Sequence, residues 1–177
     1  MLRVFVREAV DGDWAQIHPF FSAIVAAGET YAYPENLTSE QAHRLWTGPG
    51  HTVVAVDGAT VLGSATMGPN RPGRGAHVAT ASFMVDPRRT GRGVGRALGE
   101  YLIGWAEAAG YRGIQFNAVV ETNTAAVALW RSLGFVVIGT VPGAFHHPTS
   151  GYVGLHVMYR PLPRSVSSPT SPSTAPA

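Results

Sequence analysis

Residues 78–98 read VATASFMVDPRRTGRGVGRAL, and this stretch constrains the chain more than any other. An apolar, β-branched run (Val78–Val85) meets Asp86-Pro87. Glycines then recur at 91, 93 and 95, and a helical apolar stripe begins at once with Val94, Ala97, Leu98, Tyr101, Leu102, Trp105 and Ala108. Strand, glycine turn and helix therefore follow without a spacer. The first turn of a helix has backbone N–H groups with no intrahelical partner, and glycine there lets a ligand approach the main chain closely. Such a turn is an anion site. Arg88, Arg89, Arg92 and Arg96 crowd around it.

Two common phosphate-binding loops do not fit. A Walker A loop ends in Gly-Lys-Ser/Thr, whereas this turn ends in Gly95-Arg96-Ala97. A dinucleotide fingerprint needs a third glycine three residues after the second, and Arg96 stands there. What remains is a pyrophosphate held mainly by main-chain amides.

The 177 residues suffice for one domain with a full core, and 45% hydrophobic against 14% charged residues is a globular composition. All basic residues are arginine, yet the net charge is only +2. Charge this local favours one small anionic ligand over nucleic acid. With no cysteine, disulfides, thiolate chemistry and Cys-ligated metals are excluded, and a cytoplasmic location is expected. No signal peptide is read at the start, and no run approaches the ~18 apolar residues of a membrane helix.

The remaining pattern predicts the order β α α β β β α β α β β. A strand over Arg3–Val10 precedes a helix from Trp14 to Gly28, which includes Pro19. A second helix is capped by Thr38 or Ser39. Strands Thr52–Val56 and Thr60–Met67 are joined at Asp57-Gly58. After the glycine turn come a helix to Ala109, a strand Gly113–Val120, a helix Asn123–Leu133 and strands Val136–Val141 and Tyr152–Tyr159. A loop carrying His146-His147-Pro148 separates the last two. Residues 161–177, rich in Pro, Ser and Thr, are expected to be a disordered tail behind a domain of residues 1–160.

The turn resembles motif A of the GNAT acyl-CoA N-acyltransferase superfamily: a strand ending Val85-x-Pro87, then Thr90-Gly91-Arg92-Gly93-Val94-Gly95, then a helix. Thr90 stands where the family has Arg or Gln. Asn123, Ala126, Leu129, Gly134 and Phe135 match the family's second pattern at its intervals. The likeness is strong over Val78–Tyr159. It implies a single-domain α/β fold, a mixed, mostly antiparallel sheet flanked by helices with splayed central strands. It also implies acetyl-CoA as cofactor. Phe83, Met84 and Val85 would hold the pantetheine by their main chain. Thr90, Gly91, Arg92, Gly93, Val94, Gly95 and Arg96 would hold the pyrophosphate, and Asn123 and Trp130 would lie along the cofactor arm.

Trp130 departs from the tyrosine usual there, and an indole N–H cannot release a proton at neutral pH. A small amine is the expected acceptor, with fungal azetidine-2-carboxylate and phosphinothricin acetyltransferases as the nearest types. A non-catalytic acyl-CoA sensor and a protein N-acetyltransferase stand as alternatives. Tyr31 and Tyr33 would shape the acceptor pocket, and Asn117 would bind substrate or thioester. The main-chain N–H near Met84 would meet the carbonyl oxygen. Glu29, Glu121 and His77 are the candidate bases, Glu29 first. No metal, nucleic acid or membrane is expected, and pairing into a homodimer is an option.

Overall fold

The computed structural model describes residues 4–48 and 50–163. Seven strands form one sheet in the order β1-β2-β3-β4-β5-β7-β6. The strands are β1 (Phe5–Glu8), β2 (His51–Asp57), β3 (Thr60–Pro69), β4 (Val78–Val85), β5 (Gly113–Val120), β6 (Val136–His147) and β7 (Gly151–Pro161). Only β4 and β5 run parallel; every other pair is antiparallel. The helices are α1 (Trp14–Ala27), α2 (Ser39–Thr47), α3 (Val94–Ala108) and α4 (Thr124–Ser132). This is the mixed, mostly antiparallel α/β architecture the motifs imply.

Strand alternation gives the sheet two apolar faces, and each is covered. On one, α3 and α4 place Val94, Leu98, Leu102, Ala106, Val127 and Trp130 against Ala79, Ile114 and Phe116. On the other, α1 and α2 place Ile17, Phe20, Phe21 and Trp46 against Val54, Val61 and Met84. Trp46 is fully buried, and its indole N–H donates to Ser64 Oγ at 2.9 Å. α2 begins with a reciprocal cap: Thr38 Oγ1 accepts from Gln41 N–H, and Gln41 Oε1 accepts from Thr38 N–H.

Two expectations need correction. His146 and His147 end β6 rather than lying in a loop, because β6 and β7 form one long hairpin whose register shifts between Val141 and Phe145. The bulge absorbs Pro142 and Gly143, which broke the alternation of the sequence. His146 stacks on Tyr152 at 4.8 Å, and His147 Nδ1 accepts from the Thr149 and Ser150 N–H groups of the turn. At the other boundary, β7 runs through Pro161, and Leu162 is buried with its N–H on Arg112 O. The rest of the expected tail, residues 164–177, lies outside the described residues. Among the described residues no helix is long and apolar enough to cross a membrane.

Gly63 marks where β3, β4 and α3 converge. A Cβ there would lie 2.8 Å from Met84 O and 3.0 Å from Val94 Cγ1. Since one of these is backbone, Gly63→Ala forces the strands apart. Its expected cost is about 1–3 kcal/mol in urea denaturation, and an unchanged midpoint would contradict the packing.

Candidate functional site

β4 and β5 pair only at Val78–Gly113 and Ala79–Ile114, and then they part. β5 bends away through a register shift against β7 between Phe116 and Val119. The peptide groups of β4 follow strict parity. Asp86 N–H donates to Leu62 O and Asn70 N–H to Val78 O, so the even-numbered residues of β4 face β3. Ala81, Phe83 and Val85 therefore turn their N–H and C=O into the gap. Met84, expected to present an N–H there, is laddered to Ser64 and is buried. The gap-facing donors are its neighbours.

Aromatic rings close the gap on the α3/α4 face. Trp130 is 6% exposed and packs between both strands, 4.6 Å from Phe83 and 4.9 Å from Phe116. Its indole N–H has no hydrogen-bond partner among the described residues. From the other face Tyr31 reaches in. Its hydroxyl donates to Phe83 O at 2.6 Å and accepts from Phe83 N–H at 2.8 Å. Burial pushes this phenol well above its ordinary pKa, with Tyr33 adding to the rise, while the bond to Phe83 opposes it. Tyr33 stacks on Tyr31 at 5.1 Å, and burial raises its phenol too.

Beside this strand edge lies a cavity of about 280 Å³ lined by Leu45, Trp46, Thr66, Met67, Thr80 and Ser82, among others. Asn117, exposed on β5, donates to Asn70 Oδ1 at 2.6 Å and accepts from Gln115 at 2.8 Å. Ser82 and Asn70 were not singled out from the sequence: each is a small polar residue with no motif around it.

The glycine turn stands at the other end of β4. A 3-10 turn over Pro87–Arg89 starts at Asp86, whose carboxylate accepts from Arg88 N–H, Nε and Nη2 at 3.0, 3.0 and 2.8 Å. Gly91 and Gly93 follow with φ of 74° and 77°, left-handed values that only glycine adopts freely. The first intrahelical bond of α3 is Ala97 N–H to Gly93 O. The N–H groups of Val94, Gly95 and Arg96 are thus without an internal acceptor, at the positive end of a 15-residue helix.

Of the four arginines, Arg88 is paired with Asp86, and Arg96 is held by Ser132 and Glu100. Arg89 and Arg92 make no side-chain contact to an acid among the described residues. Val94 is buried, as the apolar stripe of α3 requires, and Gly95 lets Leu129 of α4 approach. Thr90 only closes the turn onto Pro87 O at 3.5 Å. Asn123 caps α4 through Ala126 N–H, leaving its amide N–H₂ toward solvent or ligand.

The candidate bases separate cleanly. Glu121 binds Gly154 N–H with its carboxylate, so it pins β5 to β7. His77 is exposed at the start of β4, away from the glycine turn, and its carbonyl holds Arg112 N–H. Glu29 is exposed just past α1, with no ion pair among the described residues. The tip of the β6–β7 hairpin approaches there: Pro148 Cδ is 4.0 Å from where a Gly28 Cβ would be.

This arrangement fits a long phosphorylated thioester. Unpaired N–H donors and arginines stand at one end, a main-chain edge runs down the middle, and a cavity lies at the other end. Comparison with known proteins agrees. The family described as "Acetyltransferase (GNAT) family" matches residues 17–135. A GCN5-related N-acetyltransferase structure from Kribbella flavida is 66% identical, with a TM-score of 0.88, over 90% of this chain and 98% of that one. A phosphinothricin acetyltransferase from Sinorhizobium meliloti, solved in complex with AcCoA, shares the fold at 24% identity and a TM-score of 0.81, over 96% of this chain and 94% of that one. N-acetyltransferase aca1 of Schizosaccharomyces pombe is 32% identical over 97 residues, 54% of this chain and 46% of that protein. The chain thus spans about half the length of that curated relative.

Asp86 gives the turn a measurable acid sensitivity. The Arg88 hydrogen bonds hold its carboxyl below the ordinary value, against the opposing effect of burial. Asp13 behaves likewise through Arg7. A carboxyl depressed by folding adds stability that is complete above its unfolded pKa of ~3.9 and is lost as pH falls through the folded value. Tm is therefore expected to hold from pH 7 to 5 and fall below about 4. Asp86→Asn lowers Tm at pH 7 and flattens that acid slope in calorimetry; an unaltered slope would contradict the assignment.

Proposed function

The chain belongs to the acetyltransferase (GNAT) family, and from this we propose that it moves the acetyl group of acetyl-CoA to the amine of a small molecule, with both bound together. The observation that carries this reading is the coincidence on one strand of an anion-binding helix start and an unladdered main-chain edge. When bound, acetyl-CoA supplies an activated acyl thioester.

The protein's part is to bind, orient and move protons. The N–H groups of Val94, Gly95 and Arg96, with Arg92 and Arg89, would hold the pyrophosphate. The N–H and C=O groups of Ala81 and Val85 would hold the pantetheine arm, and Asn123 would add a side-chain donor. One of these strand N–H groups would meet the thioester carbonyl as charge develops. A neutral amine is needed for attack, so a base must take its proton, and Glu29 is the candidate with a free carboxylate.

The cavity beside Ser82 supports a small acceptor, in keeping with an amino acid or its analogue. Leu45, Trp46, Thr66 and Thr80 line it, and Tyr31 and Tyr33 would flank the acceptor where it meets the β4 edge. A cytoplasmic location suits a user of acetyl-CoA. A homodimer would use the exposed apolar side chains of β6, Val136, Ile138 and Val141.

The test follows CoA release with acetyl-CoA and a panel of amines: amino acids, azetidine-2-carboxylate, phosphinothricin, polyamines and peptides. Release with a small amine supports the reading, release with peptides alone turns it to a protein acetyltransferase, and binding without release favours a sensor. Arg92→Ala should weaken acetyl-CoA binding by about tenfold in calorimetry. Glu29→Gln should slow release by on the order of 100-fold with binding unchanged.

A further inference from the structure

One side of the cavity is a row of hydroxyls drawn from three strands. Thr52 on β2 stands opposite Thr66 on β3, and Thr66 stands opposite Ser82 on β4. Side chains opposite one another on one face of a sheet lie about 5 Å apart. The row shares the face covered by α1 and α2, because Ser64, two residues along β3 from Thr66, meets the Trp46 indole of α2. Thr80, opposite Gly68, adds a further hydroxyl on the same face of β4. Thr66, Thr80 and Ser82 line the cavity. Thr52 ends the row, its hydroxyl buried and without a hydrogen-bond partner among the described residues. Gly50 keeps Thr66 open, since a Cβ there would stand 2.7 Å from Thr66 Oγ1.

The rest of the lining is apolar side chains such as Leu45, Trp46 and Met67 with short stretches of backbone, and among the described residues it holds no acid, arginine or histidine. The Trp46 indole N–H is spent on Ser64. A carboxylate entering this space would lose water and find no cation, and an ammonium would lose water and find no anion. A hydroxyl or amide group loses far less. It regains its bonds from the threonine and serine hydroxyls, each of which both donates and accepts.

The cavity meets the cofactor edge, because Ala81 lines it and turns its own N–H and C=O into the gap. An acceptor with its nitrogen at the gap therefore extends its other end along the row, and Ser82 to Thr80 is about 7 Å of strand. We propose that the cavity selects the acceptor by an uncharged end: the substrate is an amine that carries a hydroxyl or amide group several bonds from its nitrogen, and Thr66, Thr80 and Ser82 read that group. This names the acceptor class within the acetyl-CoA reading of the site and rests on it. A neutral amino acid of the glutamine kind fits by its side chain. Phosphinothricin, with a second anion, and polyamines, with a second cation, do not.

The test compares amines of similar length that differ at the far end. CoA release is followed with glutamine, glutamate, methionine and phosphinothricin, and with 4-aminobutanamide, 4-aminobutanoate and 1,4-diaminobutane. For each amide kcat/KM should exceed that of its charged counterpart by at least about tenfold. Thr66→Val keeps the shape and removes one hydroxyl, and Ser82→Ala removes another. Each should lower the preference for glutamine over methionine about five- to tenfold. A merely structural role would slow both substrates alike and leave the preference unmoved. Ser82→Ala carries the comparison if Thr66→Val does not fold. Charged amines used as well as the amides, or a preference that neither variant moves, overturns the inference, while the CoA released upholds the acetyl-CoA reading. Binding of acetyl-CoA with no release from any uncharged amine also overturns it and leaves the cofactor site standing. A wild type that binds no acetyl-CoA overturns both, before any amine is compared.

Discussion

Two neighbouring strands that begin a ladder and abandon it after two residue pairs leave peptide groups that must find partners elsewhere. Much of the site follows from this parting of β4 and β5. The register of β3 on β4 decides which residues are left over, and they are Ala81, Phe83 and Val85. Phe116 and Trp130 fill the widening gap from one face, and Tyr31 enters from the other. A parallel ladder continued to the ends of both strands would leave no edge for a ligand and no reason for a tyrosine there.

The two ends of β4 are then specialised by different physics. At its C-terminal end the chain must turn from strand to helix within a few residues. The left-handed glycines and the pairing of buried Asp86 with exposed Arg88 make that turn while leaving the first N–H groups of α3 free. At its N-terminal end, next to Ser82, the cavity is walled by Trp46 and Leu45 of α2. The α1–α2 segment contributes to the middle, through Tyr31 on the Phe83 peptide and Tyr33 stacked on Tyr31.

The local parts of this were legible in the sequence. Glycine spacing and the stripe of α3 gave the turn its register, and Asn123 was readable as a cap because an N-cap is decided by its own few neighbours. What depended on pairing partners was not. Met84 looked as good as Phe83 or Val85 until the β3 register fixed the parity. Asn117 sits in an apolar strand and invites a ligand, but its amide is occupied by Asn70, 47 residues away, and by Gln115. Glu121 reads as a free carboxylate until β7 brings Gly154 to it. The Tyr31–Phe83 bond joins a loop to a strand with no pattern linking them, so nothing short of the fold could place that phenol.

The central claim is that one continuous surface, from the start of α3 along the gap-facing edge of β4, receives acetyl-CoA. The most direct measurement is an amide chemical-shift titration of the ¹⁵N-labelled protein with acetyl-CoA. The account predicts that the largest shifts fall on Gly91 to Ala97 and on Ala81, Phe83 and Val85, with the Tyr31 segment moving in step. Shifts confined to the glycine turn, with the β4 edge silent, would contradict it: the turn would then bind anions, and the parted strands would have no part in holding the thioester.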